Sequence, residues 1–325
     1  MTIGNYEIGY FNDAMNTNYY DLIGDIHGQY DKLVDLLNRL GYEAARKTFR
    51  HPDGRKVVFL GDYVDRGPRI RDTLHLVRGM VDAGDAVAIM GNHEFNAVAY
   101  ATPDGEGGYL RQHKPNNVHQ HAATLRDFAG KETEWTEWLN WFRRLPMFLD
   151  LGGVRAVHAC WDERGLPLVQ GTPLAEDDFL HLAARKGTVE HETVETILKG
   201  PELALPQGAS FRDKENIPRH NVRTRWWNLR AGLTLGDITM PLPTEVALPL
   251  TQDHIDRLPQ YHPEAAPVFF GHYWMPPTLP REPLGVNLVC LDYSAGLGPH
   301  PMTAYRWNGE ALPLAENFVT GKEGV

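Results

Sequence analysis

Residues 19–41 read YYDLIGDIHGQYDKLVDLLNRLG, and the change of rhythm inside this stretch decides the fold class. Residues 19–23 are a short apolar, strand-like run. It stops at Gly24, and over residues 29–40 the apolar positions fall instead at helical spacing, as Leu33, Leu36, Leu37 and Leu40. Gly41 supplies the helix stop. The unit then repeats: residues 55–60 (RKVVFL) predict a second strand, 71–83 a second helix and 86–90 (AVAIM) a third strand. Strands alternating with amphipathic helices predict βαβ units and a largely parallel sheet. Each of these strands ends in a glycine followed by polar residues.

Further along, residues 101–117 hold turn residues without periodicity and predict a surface loop. Helical spacing returns at 118–129 and 135–145, where Trp138, Trp141, Phe142 and Leu145 form one apolar face expected in the core. Residues 147–151 and 154–160, joined by Gly152-Gly153, predict a hairpin. Two helices are expected within 172–200, the first capped by Thr172 with Pro173 at its first position. Residues 201–265 are proline-rich and irregular; late strands are expected at 267–270, 286–292 and 302–307.

The chain has 325 residues, 42% of them hydrophobic and 23% charged, which is enough apolar surface for a sizeable core and excludes general disorder. With 32 Lys+Arg against 42 Asp+Glu the net charge is −10, so the average field opposes broad attachment to nucleic acid or anionic lipid. The first twenty residues lack the basic and apolar regions of a signal peptide, and no run is long enough to span a bilayer. Cys160 and Cys290, each inside an apolar run, fit buried thiols in a reducing, cytoplasmic setting and exclude a disulfide framework.

Three segments carry chemistry: Gly24-Asp25-Ile26-His27-Gly28, Gly61-Asp62-Tyr63-Val64-Asp65-Arg66-Gly67 and Gly91-Asn92-His93-Glu94. Each follows a predicted strand directly. In an open parallel sheet the carboxyl ends of neighbouring strands share one edge, so these loops can converge although far apart in sequence. Their donors are carboxylates, an amide oxygen and imidazoles, a mixed set suited to manganese, iron or zinc.

With these motifs the chain resembles the calcineurin-like metallophosphoesterases, in the bacterial style of the phosphoprotein-phosphatase branch, whose signature is GDxHG, GDxVDRG and GNHE followed by two separate histidines. The late histidines are matched by His158 in VRAVHAC and His272 in VFFGHYW. Residues 292–296 (DYSAG) stand where eukaryotic members carry SAPNY. The resemblance implies an αββα sandwich of two mixed β-sheets flanked by helices. It implies two divalent metal ions, manganese first with iron or zinc as alternatives. Asp25 and His27 would hold the first ion, Asp62 would bridge, and Asn92, His158 and His272 would hold the second. His93 would be the general acid, oriented by Asp65, and Arg66 would bind phosphate.

The reason for such a set is general. A phosphate ester repels hydroxide, and two cations roughly 3.5–4 Å apart both neutralise its oxygens and lower the pKa of a shared water towards about 7. For Glu94 a direct role and a supporting one, as a partner of the ligands or a charge at a helix start, stay equally open. A second phosphate-binding arginine is expected in residues 212–230, where six Lys/Arg face two Asp/Glu. Arg225 and Arg230 are the candidates there, and the paired Trp226-Trp227 could stack on a nucleobase or pack beneath. The other histidines, His51 and His121 among them, have no such context and are expected at the surface or in loops.

The expectation is thus one metallophosphoesterase domain over residues 1–325, departing from the family pattern at about 101–130 and 172–265. Its reaction is hydrolysis of phosphate esters by hydroxide generated between the metals. A Ser/Thr protein phosphatase-like phosphomonoesterase is expected first, and a phosphoanhydride hydrolase of the diadenosine tetraphosphate type is the alternative. A nucleic-acid phosphoesterase and a non-catalytic scaffold stand behind these. The partner is a phosphorylated substrate, phosphoprotein or nucleotide, with no membrane; nucleic acid is disfavoured, and oligomeric state is open.

Overall fold

The computed structural model describes residues 19–46, 48–205, 210–212, 218–229, 232–240 and 249–324. Two sheets are built from β1 (Tyr20–Ile23), β2 (Lys56–Phe59), β3 (Ala86–Ala88), β4 (Phe148–Asp150), β5 (Arg155–Val157), β6 (Val268–Phe270), β7 (Leu288–Cys290), β8 (Thr303–Trp307) and β9 (Phe318–Thr320). The first sheet has the order β9-β8-β1-β2-β3 and the second β7-β6-β5-β4. In the first, β1, β2 and β3 are parallel, with Ile23 opposite Phe59 and Phe59 opposite Ala88, so their following loops leave at one edge. In the second, β5, β6 and β7 are parallel, with Phe269 opposite Ala156 and Phe270 opposite Cys290.

Strand alternation sorts the side chains into layers. Leu22, Val58 and Tyr305 from the first sheet meet Ala156, Phe269 and Val289 from the second in one buried cluster between the sheets. The Phe269 and Tyr305 rings lie 4.8 Å apart across that layer. Their strand neighbours Ile23, Phe59, Val157 and Phe270 face the other way. They join a cluster with Leu33 and Leu36 of α1 (Tyr30–Arg39), Leu74 and Val77 of α2 (Ile70–Asp82), and with residues of later helices. Both faces of each sheet are therefore covered, in the expected helix–sheet–sheet–helix arrangement.

Helices follow at α3 (Asn92–Ala101), α4 (Pro115–Asp127), α5 (Glu132–Phe142), α6 (Asp177–Ala184) and α7 (Val189–Lys199). Trp138, Phe142 and Leu145 are buried, as their spacing predicts. Both cysteines are buried and free. No helix among the described residues is long and apolar enough to cross a membrane.

Both sheets are mixed, as expected: β8 and β9 add antiparallel strands beside the parallel core of the first, and β4 pairs antiparallel with β5 in the second. The structure differs from the sequence reading in three places. The loop of 101–117 is shorter than expected, since Pro115 occupies the first turn of α4, where its missing N–H costs nothing. Thr172-Pro173 opens a 3-10 turn, Pro173–Ala175, and the chain returns to extended backbone at Glu176 before α6 begins. The irregular 201–265 stretch contains a three-stranded patch of Glu202–Ala204, Asn221–Thr224 and Thr239–Met240. Strands of two to four residues are too short to show a period.

Candidate metal centre

The loops leaving β1, β2 and β3 are bound to one another through their backbones. Ile26 N and His27 N both donate to Asp62 O, at 3.1 and 2.7 Å, and Gly28 N donates to Tyr63 O at 2.9 Å. Glu94, in the first turn of α3, accepts from Asp62 N, Tyr63 N and Gly91 N at 2.8, 2.8 and 3.0 Å. It is a clamp between two loops, the supporting one of the roles left open for it. Gly61 has φ of +97°, and a Cβ there would lie 2.6 Å from Gly91 N, so only glycine lets these loops touch. Apart from Arg46, the non-glycine residues in the left-handed region are His27, Asp62, Asp65, Arg66, His272, Trp274 and Ser294. All seven lie in the loops that leave this edge. Such backbone costs of order 1–3 kcal/mol per residue and persists only where surroundings impose it.

At this edge Asp25, His27, Asp62, Asn92, His158 and His272 come together, all buried. Two groups of donor atoms lie within 4.8 Å of one another: His27, Asp62 and His93, and Asp62, His158 and His272. Asp62 belongs to both. Asn92 Oδ1 joins the second group, 3.0 Å from His158 Nε2 and 2.7 Å from His272 Nδ1. Asp25 stands at the rim of the first, its Oδ2 4.0 Å from His27 Nε2 and its carboxylate accepting from His272 N at 3.0 and 3.2 Å.

The donor chemistry fits cations. His27 Nδ1 donates to Val64 O at 3.0 Å and His158 Nδ1 to Leu60 O at 2.7 Å, which fixes both rings with Nε2 turned into the site. His27 Nε2 and His272 Nε2 are buried without any hydrogen-bond partner. Burial, and then the neighbouring His93, push His27 down to about 3, so its imidazole is neutral and its lone pair available. His158 Nε2 faces two acceptor oxygens, Asn92 Oδ1 and Asp62 Oδ1, the latter at 3.3 Å. Burial would lower His158, but the Asp62 carboxylate outweighs it and pushes it up to about 10. A proton there does the work of a cation. Asp62 is held well below the carboxylate range: burial opposes this, and His158 and His93 prevail. Asp25 is raised by burial and by the charges of Asp292 and Asp62, a concentration of negative charge that a cation would relieve.

His93 differs from these rings. Its Nδ1 donates at 2.5 Å to Asp65 Oδ2 instead of to a backbone carbonyl, and its Nε2 stands 3.9 Å from Asp62 Oδ2. Burial would lower its pKa, and Asp62 and Asp65 together raise it, so this imidazole holds a proton more firmly than a free one. His158 shares the raised pKa; what sets His93 apart is that its Nδ1 is tied to a carboxylate, the pairing of a positioned acid.

Arg66 is exposed, with its guanidinium 4.3 Å from the centre of the Trp274 ring. The same ring is stacked on His27, centroids 5.6 Å apart at 27°. Trp274 is thus a residue of the site that no local pattern marks. Arg225 is partly buried, its Nε without a partner, and Arg230 lies outside the described residues. The arginine of this stretch whose charge bears on His272, after burial, is Arg223. Trp226 is buried and donates to Ala159 O at 3.0 Å, which settles it as packing. His51 and His121 are buried, contrary to expectation. His51 packs edge-on against Tyr42, and His121 donates from Nδ1 to Asp65 Oδ1 at 2.7 Å. No local pattern marks either position.

The family profile of the calcineurin-like phosphoesterases matches residues 20–273. The chain belongs to the calcineurin-like phosphoesterase family. Among its relatives is the bis(5'-nucleosyl)-tetraphosphatase PrpE [asymmetrical] of Halalkalibacterium halodurans, 47% identical over 74 residues, which are 23% of this chain and 30% of that protein. The protein of the same name from Bacillus subtilis is 40% identical over 74 residues, again 23% and 30% of the two chains. The likeness thus spans under a third of these curated relatives. A solved protein serine/threonine phosphatase from Saccharomyces cerevisiae is similar with TM-score 0.48 and 12% identity, over 97% of this chain and 82% of that one. That likeness is too weak to bear on substrate.

Proposed function

We propose that this phosphoesterase acts with two divalent cations on a bis(5'-nucleosyl) tetraphosphate, with His93 as the acid that protonates the leaving oxygen. The observation that carries the chemistry is the position of His93, in the donor group with His27 and Asp62, its Nε2 3.9 Å from Asp62 Oδ2, yet tied through Nδ1 to Asp65. Asp25, His27 and Asp62 would hold one ion; Asp62, Asn92, His158 and His272 would hold the other. Manganese suits this mixed oxygen and nitrogen set, with iron or zinc as alternatives. When bound, the pair supplies positive charge to the phosphoryl oxygens and makes water more acidic.

The chain's own residues do the rest. Asn92 is neutral, which keeps the donor set from becoming too negative to admit an anion. Arg66 presents a planar fork to the phosphoryl oxygens, held against Trp274. Arg223, Arg225 and Arg230 are the candidates for a second cationic contact, and the electrostatic link to His272 favours Arg223. His93 points Nε2 at the site while Asp65 fixes its ring, the arrangement of a general acid. The reading takes residues 1–325 as one catalytic domain in the cytoplasm, where two buried free thiols are at home.

The name of the relatives supports the tetraphosphate. A Ser/Thr phosphatase is the second reading, supported by the GDxHG, GDxVDRG and GNHE set. The test is a comparison of kcat/KM, with Mn²⁺, for an aryl phosphate, a phosphopeptide and diadenosine tetraphosphate. The tetraphosphate is expected to be preferred. Preference for the phosphopeptide would overturn the substrate and leave the chemistry, whereas no turnover of any of the three would overturn both.

A further inference from the structure

Asp65 is held by more than His93. Its Oδ2 accepts from His93 Nδ1, and its Oδ1 accepts from His121 Nδ1 at 2.7 Å and from Thr124 Oγ1 at 2.5 Å. Thr124 Oγ1 also accepts from Asp65 N at 3.0 Å. His121 and Thr124 are one helical turn apart on α4, so a single helix face grips both the carboxylate and the backbone of Asp65. Asp65 itself sits in the left-handed region with φ of +67°, a conformation that needs such support. Burial would raise the Asp65 pKa; the hydrogen bonds from His121 and then His93 overcome that and keep the group ionised.

We propose that His121 is a positioning residue of the reaction: it completes a His93–Asp65–His121 array that aims the leaving-group acid. The proposal rests on the reading of His93 as that acid. In the step concerned, water adds its oxygen to phosphorus and the bond from phosphorus to the leaving oxygen breaks, an anhydride bond in the tetraphosphate and an ester bond in the aryl and alkyl phosphates of the test. The electron pair goes to the leaving oxygen, which takes the proton from His93 Nε2, and the proton lost by the water restores His93. Asp65 can orient His93 only if its own rotation is arrested. With Oδ1 released, the carboxylate is free to turn and to share its charge with solvent. His121 Nε2, on the far side of its ring, is buried without a partner. His121 also lines a narrow polar cleft with His93, Asn96, Tyr100, Arg111 and Gln120. Arg111 is spent there on Asn96 Oδ1 and Gln120 Oε1, at 2.8 and 2.9 Å.

The experiment compares kcat along a series from p-nitrophenyl phosphate to phenyl phosphate to an alkyl phosphate, in the Mn²⁺-loaded wild type, His121→Leu, His121→Asn and His93→Asn. Poor leaving groups need the proton; p-nitrophenolate does not. His121→Leu is expected to lose about tenfold or more on the alkyl ester and under about threefold on the nitrophenyl ester. His121→Asn, whose amide nitrogen stands where Nδ1 stood, is expected to recover most of this. Loss that is equal across the series, or no loss, overturns the proposal. If His93→Asn itself shows no leaving-group dependence, the acid assignment fails, a different result from failure at His121 alone. Should His121→Leu not fold, Thr124→Val decides: it removes a donor from the same oxygen and is expected to give the same dependence with a smaller loss, and a uniform loss there overturns the proposal too.

Discussion

Asn92 and His93 are neighbours in the chain with opposite proposed duties, one to offer an oxygen to a cation and the other to offer a proton to a substrate. Separating them experimentally is simple. His93→Asn is expected to lower turnover of a poor leaving group by about 10²–10⁴-fold while two metal ions per chain are retained, read by kinetics and elemental analysis. Asp65 makes a second prediction, from linkage. Its folded pKa lies below the ordinary 3.8, so its contribution to stability is complete above that value and is lost as pH falls through the folded pKa. Urea midpoints from neutral to strongly acid pH should therefore fall less steeply for Asp65→Asn than for wild type. A third concerns Trp274, which holds Arg66 by its ring face. Trp274→Leu should raise KM for phosphate esters more than it lowers kcat, and Trp274→Phe should restore much of the difference. The motif residues were legible because each loop carries its donors within a few positions. His121, Trp274 and Arg223 were not, since what gives them meaning is a partner that only tertiary packing brings near.

The elements that deliver these residues were easier to read than the way they dock. Three strand–loop units announce themselves by apolar runs ending in glycine, and their shared edge follows from parallel pairing. The glycines are more than stops. Gly61→Ala would combine a strained φ with a Cβ pressed on Gly91 N, and should cost about 3 kcal/mol or more. Thermal melting checks this, and a variant that melts like wild type would show that the loops can part without cost. Helix α4 is the opposite case. Its periodicity was visible, but nothing in residues 115–127 states that the helix lies against Asp65, because a helix face carries its contacts in space and not in order. The 3-10 turn at Pro173–Ala175 was misread for a local reason: a cap residue and a proline mark a beginning, not a length.

At the scale of the molecule, the sandwich was foreseen from family resemblance; the alternation of Leu22, Val58, Ala156, Phe269 and Val289 into one inner layer is what makes it so. Within this architecture the donors have two origins. Asp25, His27, Asp62 and Asn92 leave the first sheet, and His158 and His272 leave the second. An ion shared by Asp62 and the two late histidines would therefore span the seam, like a rivet through two plates. Occupancy at about a hundred times the dissociation constant is worth about 2.7 kcal/mol per site, and here that energy would lie across the join. Stripping the metal with a chelator should lower the melting temperature and speed amide exchange at the ends of β1, β2, β5 and β6 together, while the far ends of the same strands keep their protection. The cation would then be a mechanical fastener as well as a reagent, and mutations that loosen the join would surface first as weakened metal retention.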